Sequence, residues 1–374
     1  MPENEEAMLL KDETSFSEPP LNKLKLWQWW LMMALNIFFL LSGQASAVLL
    51  GRSYYDHGGN CVWMATLVQT AAFPILLIPY FLLPSSSLSS SSSSQEPSSA
   101  SHPPSITTVS LLYLCLGILY VGDNLLYSVG LMYLSASTYS LICATQLAFN
   151  AVFSVIINHE KFTALLLNSV VVLSFSASLI GVYDDSDGPT GVSKTDYVLG
   201  FLFTLGASAL NSLVLSLIQL SFEKVLKNEA FSVVLEMQIY ISAVATCASV
   251  LGLFVSGEWR TLQEDMNGYD TGKVSYVMTL VWAAVAWQVS SVGIVGLIFV
   301  VSSLFSNVIS TLSLSLTPIV AVIVFHDKMN GVKVISLLMA LWGFVSYMYQ
   351  NYLDDVKAKK EQSEANCAHD GSSW

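Results

Sequence analysis

Residues 274–325 are 52 consecutive residues without an Asp, Glu, Lys or Arg, and residues 106–158 are 53 residues whose only charge is Asp123. Soluble domains carry charge on roughly a quarter of their residues, so neither stretch can present a face to water. Each is more than twice the ~20 residues with which a helix crosses ~30 Å of hydrocarbon. Each must therefore cross, turn and cross back. The chain as a whole agrees: 53% of its 374 residues are hydrophobic and 11% are charged, yet its formal net charge is −12. So large a charge on so few groups means that the charge is segregated. The acidic balance, 27 Asp and Glu against 15 Lys and Arg, excludes nucleic-acid binding, which needs a basic face. Five widely spaced cysteines without a C-x-x-C exclude a disulfide-stapled secreted module.

The charge collects in acidic tails at 1–25 and 353–374 and in short loops. The first apolar run follows an acidic lead, unlike a cleavable signal peptide. Ten apolar runs follow one another. The first covers 26–50 and ends in a turn-rich polar loop at 51–60; the second covers 62–83. A serine and proline tract at 85–105 reads as a flexible linker, because it cannot bury enough apolar surface to offset its ordering entropy. Two crossings fill 106–158, with a turn near 133–137. Spans five, six and seven cover 162–183, 195–222 and 230–256. Two more fill 274–325, with Gly293 and Gly296 near the break, and the tenth covers 332–352. With both ends of the chain on one side, that side carries nine Lys and Arg and the other six, which favours cytosolic termini.

The two long stretches end alike, in Asn158-His159-Glu160-Lys161 and Phe325-His326-Asp327-Lys328, 167 residues apart, and one span follows each. The spacing predicts an all-α membrane protein of ten transmembrane helices arranged as two inverted five-helix repeats, 26–183 and 195–352, joined by a loop at 184–194. An odd number of spans per repeat inverts the second copy, an architecture that places a binding site at the repeat interface near the midplane and alternates its exposure.

Within the ten runs no Lys or Arg is internal, Lys333 lying at the edge of the tenth, so a buried anion would have no cationic partner. A neutral or weakly basic substrate follows. Two acids lie at depth, Asp123 and Glu236, and each is a candidate proton-coupling group because a carboxyl in hydrocarbon is costly. The alternatives are a structural carboxyl bonded to a neighbouring helix for Asp123, and snorkelling or pairing with Lys224 or Lys227 for Glu236. Tyr139, Cys143, Gln146 and Asn150 recur at helical spacing along one face of span four, and Asn124 adjoins Asp123. Amides offer a donor and an acceptor to the edge of a heterocycle; they also serve as helix-packing glue. Gln44, Gln69, Trp282, Trp287, Gln288 and Asn307 complete the polar and aromatic groups at depth. Of the tryptophans only Trp282 lies clearly within a span interior, where it could stack on a ring or face lipid.

No G-x-x-x-x-G-K-[S/T], H-E-x-x-H or paired Cys/His spacing occurs, so no nucleotide-driven pump, catalytic centre, metal or cofactor is expected. Besides a carrier, the chain could be a receptor or scaffold recruiting partners through its tails, or a sugar-nucleotide or other metabolite exchanger.

Several segments resemble the plant purine permease family of the drug/metabolite transporter superfamily: GRSYYDHGGN at 51–60, GDNLLYSVGLMYL at 122–134, STYSLICATQLAFNAVFS at 137–154, VVLEMQIY at 233–240, LGLFVSGEW at 251–259, WQVSSVGIVGLIFVVSSLFSNVIS at 287–310 and FHDKMNGVKVI at 325–335. Ser135 and Ser315 stand where that pattern often reads proline. The resemblance implies ten helices, cytosolic termini, residence in a membrane such as the plasma membrane, and uptake of adenine, cytokinins or related nitrogen heterocycles, with a proton as the co-transported partner.

Overall fold

The computed structural model describes residues 26–82, 106–157, 193–221, 231–300, 303–326 and 329–346, with scattered residues between 167 and 179 and at 224, 349–350 and 353. Among these there is helix and no strand. The order is α1 (Leu26–Asp56), α2 (Val62–Ala71), a 3-10 turn (Phe73–Leu76) leading into α3 (Leu77–Leu82), α4 (Ile106–Tyr133), α5 (Ala136–Cys143), α6 (Gln146–Ile157), α7 (Lys194–Ser221), α8 (Phe231–Ser256), α9 (Leu262–Gly268), α10 (Lys273–Val300), α11 (Ser303–Phe325) and α12 (Gly331–Ser346). Eight segments are long and apolar enough to cross a membrane, α2 with α3 and α5 with α6 each counting as one, and α12 is a shorter apolar helix. The fifth expected span, 162–183, and the tails and linker lie wholly or largely outside the described residues.

Helix α1 packs along α10, and α4 along α7; α4 also meets α8, as α10 meets α2. Helix α6 lies against α7, and α11 against α1, while α8 touches α2 and α11 touches α5. Without water to drive apolar surfaces together, such contacts depend on close backbone approach at small residues. A Cβ on Gly43 would stand 2.6 Å from the Ser290 backbone nitrogen, and one on Gly293 2.5 Å from that of Leu40. The same device recurs between α4 and α7, where a Cβ on Gly200 would meet Tyr133 Cβ at 2.8 Å.

Three local readings of the sequence are corrected. The polar segment beginning at Gly51 is not a loop as far as Asp56: α1 continues through it, because Arg52 is buried and its Nη1 donates to the carbonyls of Leu131 (2.8 Å), Met132 (3.2 Å) and Leu134 (2.9 Å). That guanidinium caps the end of α4, whose last carbonyls have no partner within the helix. Span four is not one continuous helix. It tightens at Ala144–Thr145, with Thr145 N bonded to Ile142 O and Ala148 N to Thr145 O, and the Thr145 hydroxyl donating to Ile142 O at 2.7 Å. Gly293 and Gly296 do not mark a break; they sit inside α10 and let α1 approach. The turn between α4 and α5 survives without proline, since Ser135 has φ −65, a value proline would adopt, and its hydroxyl accepts from Thr138 N.

Candidate functional site

One small cavity lies between α1, α2, α4, α5 and α10. Its wall is aromatic, formed by Tyr54, Tyr55, Tyr127, Tyr139 and Trp287, with Gln69, Ser128 and Thr279 as further polar groups and no Lys or Arg. Its volume is about 30 Å³, enough for about two waters and too little for a flat bicyclic ring unless the helices part. Tyr127 and Tyr139 stand edge to face with centroids 5.9 Å apart. Behind them the Tyr127 hydroxyl reaches Gln146 Oε1 at 3.5 Å.

The expected residues divide clearly. Gln69 and Tyr139 line the cavity. Gln146 sits one layer back, its backbone carbonyl accepting from Ser212 of α7 at 2.8 Å. Asn124 is buried and gives its carbonyl to Gln69 at 3.1 Å, while its Nδ2 has no partner among the described residues. Asn150 is buried in α6, so Tyr139 and Asn150 do not share the single open face that a continuous helix would offer; α5 and the start of α6 are enclosed on all sides. Gln44 is buried away from the cavity, where its Oε1 accepts from Ser310 of α11 at 3.2 Å. Gln288 is buried with Oε1 unpartnered among the described residues, and is not in the cavity wall. The side chain of Asn307 lies outside the described residues.

Trp282 lies outside the cavity wall. It is 58% exposed in mid-helix, which in a membrane is contact with lipid, and it cannot stack on anything in the cavity. Five residues on a helix is a rotation of about 140°, so when Trp287 turns inward Trp282 turns away. Trp282→Ala is expected to change uptake less than about twofold, whereas Trp287→Ala, which removes a cavity wall, should lower it at least about tenfold at equal surface abundance; radiolabelled uptake normalised to surface protein checks both.

Asp123 is buried on α4, where its Oδ2 accepts from Asn211 Nδ2 of α7 at 2.9 Å and Oδ1 has no partner among the described residues. Asn211 carried no signal in the sequence, being one amide in a helix rich in small polar residues. Glu236 is only half-buried and pairs with no cation among the described residues. The statement that no basic residue is internal also needs correction: Arg52 and Lys333 are both buried. Both lie at one end of the bundle around the α4–α5 turn, Arg52 also pairing with Asp56 and Lys333 Nζ lying 3.5 and 3.4 Å from the hydroxyls of Ser135 and Ser137.

That same end of the cavity is covered by the segment from Gly257 to Gly272. Glu258 accepts from the Trp63 amide and the Cys61 thiol, both at 3.0 Å. Asp270 N donates to His57 O, and the Tyr269 hydroxyl reaches Ser53 O. Burial lifts the Asp265 carboxyl above its ordinary range, opposed by hydrogen bonds from the amides of Asn60 and Cys61. Tyr54, Tyr269 and Tyr276 pack into one ring cluster beneath this cover. The segment 257–272 is thus tied to the end of α1 and the start of α2 beside the ring-lined pocket.

The family described by purine nucleobase transmembrane transport matches residues 31–357. Among curated proteins the chain is similar to "Probable purine permease 11" of Arabidopsis thaliana, 64% identical over 363 residues that cover 97% of this chain and 94% of that protein. It is 54% identical to "Probable purine permease 13" (96% of this chain, 98% of that one) and 51% identical to "Purine permease 21" (94% and 88%), both also from Arabidopsis thaliana.

Proposed function

The chain belongs to the purine permease family, and from that premise we propose that it is a secondary carrier taking up adenine, cytokinins or related uncharged nitrogen heterocycles by proton symport with alternating access. That it is a multi-pass membrane transport protein of the purine nucleobase class, and not an enzyme, follows from the family itself. The observation that carries the finer reading is the cavity wall, whose tyrosines and Trp287 suit the faces of a flat ring while the absence of Lys and Arg from it disfavours a phosphorylated one. Its small volume fits a closed state of a carrier whose helices part to admit the base.

We read the chain as ten helices in two inverted repeats, 26–183 and 195–352, connected by 184–194 and carrying the linker 85–105 and cytosolic tails 1–25 and 353–374. The helix contacts support this reading. Exchanging α1 with α7, α2 with α8, α4 with α10, and α5–α6 with α11 turns α1–α10 into α4–α7, α4–α8 into α2–α10 and α6–α7 into α1–α11. The 167-residue offset of the two His-acid-Lys loops also carries Asp123 onto Ser290 and Gln44 onto Asn211, and both members of each pair lie where a tightly packed helix pair crosses. Plasma-membrane residence fits the uptake role.

In this reading Gln69 and Tyr139 touch the ring. Gln146, Asn124 and Asn150 shape the pocket from the second layer. Gln44 and Gln288 belong to the repeat interface and meet substrate only in another state, and Asn307 on α11 is a further substrate group. Asp123 is preferred over Glu236 as the proton site, since it is fully enclosed and shared between α4 and α7 in opposite repeats. Cells expressing the chain should accumulate labelled adenine, lose at least about tenfold of it on adding a protonophore, and lose that sensitivity in Asp123→Asn. Uptake indifferent to the gradient removes the symport; saturable binding without flux in reconstituted vesicles makes the chain a receptor.

A further inference from the structure

The Gln69 amide has one orientation, and that orientation selects the ligand. Its Nε2 lies 3.1 Å from Asn124 O and 2.9 Å from Ser128 Oγ. A backbone carbonyl only accepts, so the amide nitrogen, not the amide oxygen, must face Asn124. The second amide proton is directed just as firmly. Thr66 Oγ1 lies 2.9 Å from Val62 O and 3.1 Å from Ser128 Oγ. Thr66 Oγ1 donates to Ser128 Oγ, and Ser128 Oγ also accepts from Gln69 Nε2. The Asn124 carbonyl thus sets the direction of the amide, and Ser128 Oγ takes its second proton. Both amide protons are spent on α4, and Oε1 accepts no hydrogen bond among the described residues although Gln69 lines the cavity.

Resting on the reading of the cavity as the base site, we infer that Gln69 is a specificity-determining residue that presents a fixed acceptor and selects heterocycles bearing a ring N–H. An amide free to rotate would take either a donor or an acceptor; this one cannot. A ligand that offers a ring nitrogen lone pair or an N-methyl group at that edge desolvates Oε1 and returns nothing. Ser128 is the positioning residue, acting through the amide and not through the ligand.

Purine itself provides the probe, since its one N–H is lost in 7-methylpurine and 9-methylpurine. Each is tested as a competitor of labelled adenine uptake and, on purified full-length protein, for binding by thermal shift. Wild type should prefer purine to either methylpurine by at least about tenfold, the value of one neutral hydrogen bond. In Gln69→Leu purine should fall to the level of the methylpurines, while the methylpurines stay within about threefold of wild type. Ser128→Ala removes one of the two acceptors that hold the amide and should also shrink the preference, at unchanged surface abundance. A preference that persists in both variants would be steric, and the inference fails; so does it if wild type binds all three alike. If no heterocycle binds at all, it is the base site that fails, together with what rests on it. Should Gln69→Leu not accumulate, Ser128→Ala carries the decision alone.

Discussion

Replacing Gly43 by valine is expected to abolish accumulation of the folded protein. A Cβ there would come within 2.6 Å of Ser290 N and 2.8 Å of Ala286 O, distances that real side chains do not tolerate. Both neighbours are backbone, so no rotamer change relieves the clash, and α1 and α10 must separate along their whole crossing. Overpacking at a yielding site costs about 1–3 kcal/mol; at this one the cost should exceed that range. Alanine in the same position should already lower stability measurably. Gly122 gives the contrast: a Cβ there meets Leu210 Cδ2 at 3.6 Å, an ordinary contact, and Gly122→Ala should accumulate like wild type. Fluorescence-detected size exclusion and thermal melts in detergent separate the two. A Gly43→Val protein that is monodisperse and melts normally would show that the α1–α10 contact is looser than the glycine implies.

Arg52→Ala is the second large effect. The side chain is 5% exposed and its Nη1 serves three carbonyls at the end of α4, while Nη2 pairs with Asp56. Removing it leaves the buried carbonyls of Leu131 and Leu134 without that donor. Loss of one member of a buried charged network costs about 3–5 kcal/mol. Lysine should recover little, since a single ammonium cannot spread over a fork of acceptors while also meeting Asp56. Arg52 also ties α1 to the α4–α5 turn beside the cavity, so Arg52→Lys that still accumulates should show uptake reduced at least about fivefold. Normal melting and uptake of Arg52→Ala would mean that the carbonyls find other partners.

Much of the architecture is legible in the residue order because hydrocarbon imposes a single requirement: twenty apolar residues must satisfy their own backbone, and only a helix does so. The uncharged runs therefore locate the described crossings to within a few residues. The ends of helices are less legible. Gly51-Arg52-Ser53 reads as a polar loop, yet a cation whose partners are carbonyls 79 to 82 residues away is helical and buried. The interruption at Ala144–Thr145 is equally silent, since neither glycine nor proline marks it.

The lining of the cavity was only partly legible in the residue order. A shortage of buried cations pointed to an uncharged ligand, and the cavity wall agrees. Of the residues that line it, Gln69 and Tyr139 stood out in the sequence; Tyr54, Tyr55 and Tyr127 did not, because tyrosine near a helix end is commonplace in a membrane protein. Trp282 was chosen over Trp287 on depth alone, and depth says nothing about azimuth.

Residue order suffices for membrane residence and for the position of the described apolar runs, because each depends on composition summed along one helix against lipid. Which side chains meet depends on how helices rotate about their axes and where they cross. Those angles are set by glycine contacts between α1 and α10 and between α4 and α7, pairs far apart in the chain. The placing of Trp287 in the wall, the union of Asp123 with Asn211, and the direction of the Gln69 amide all follow from that packing.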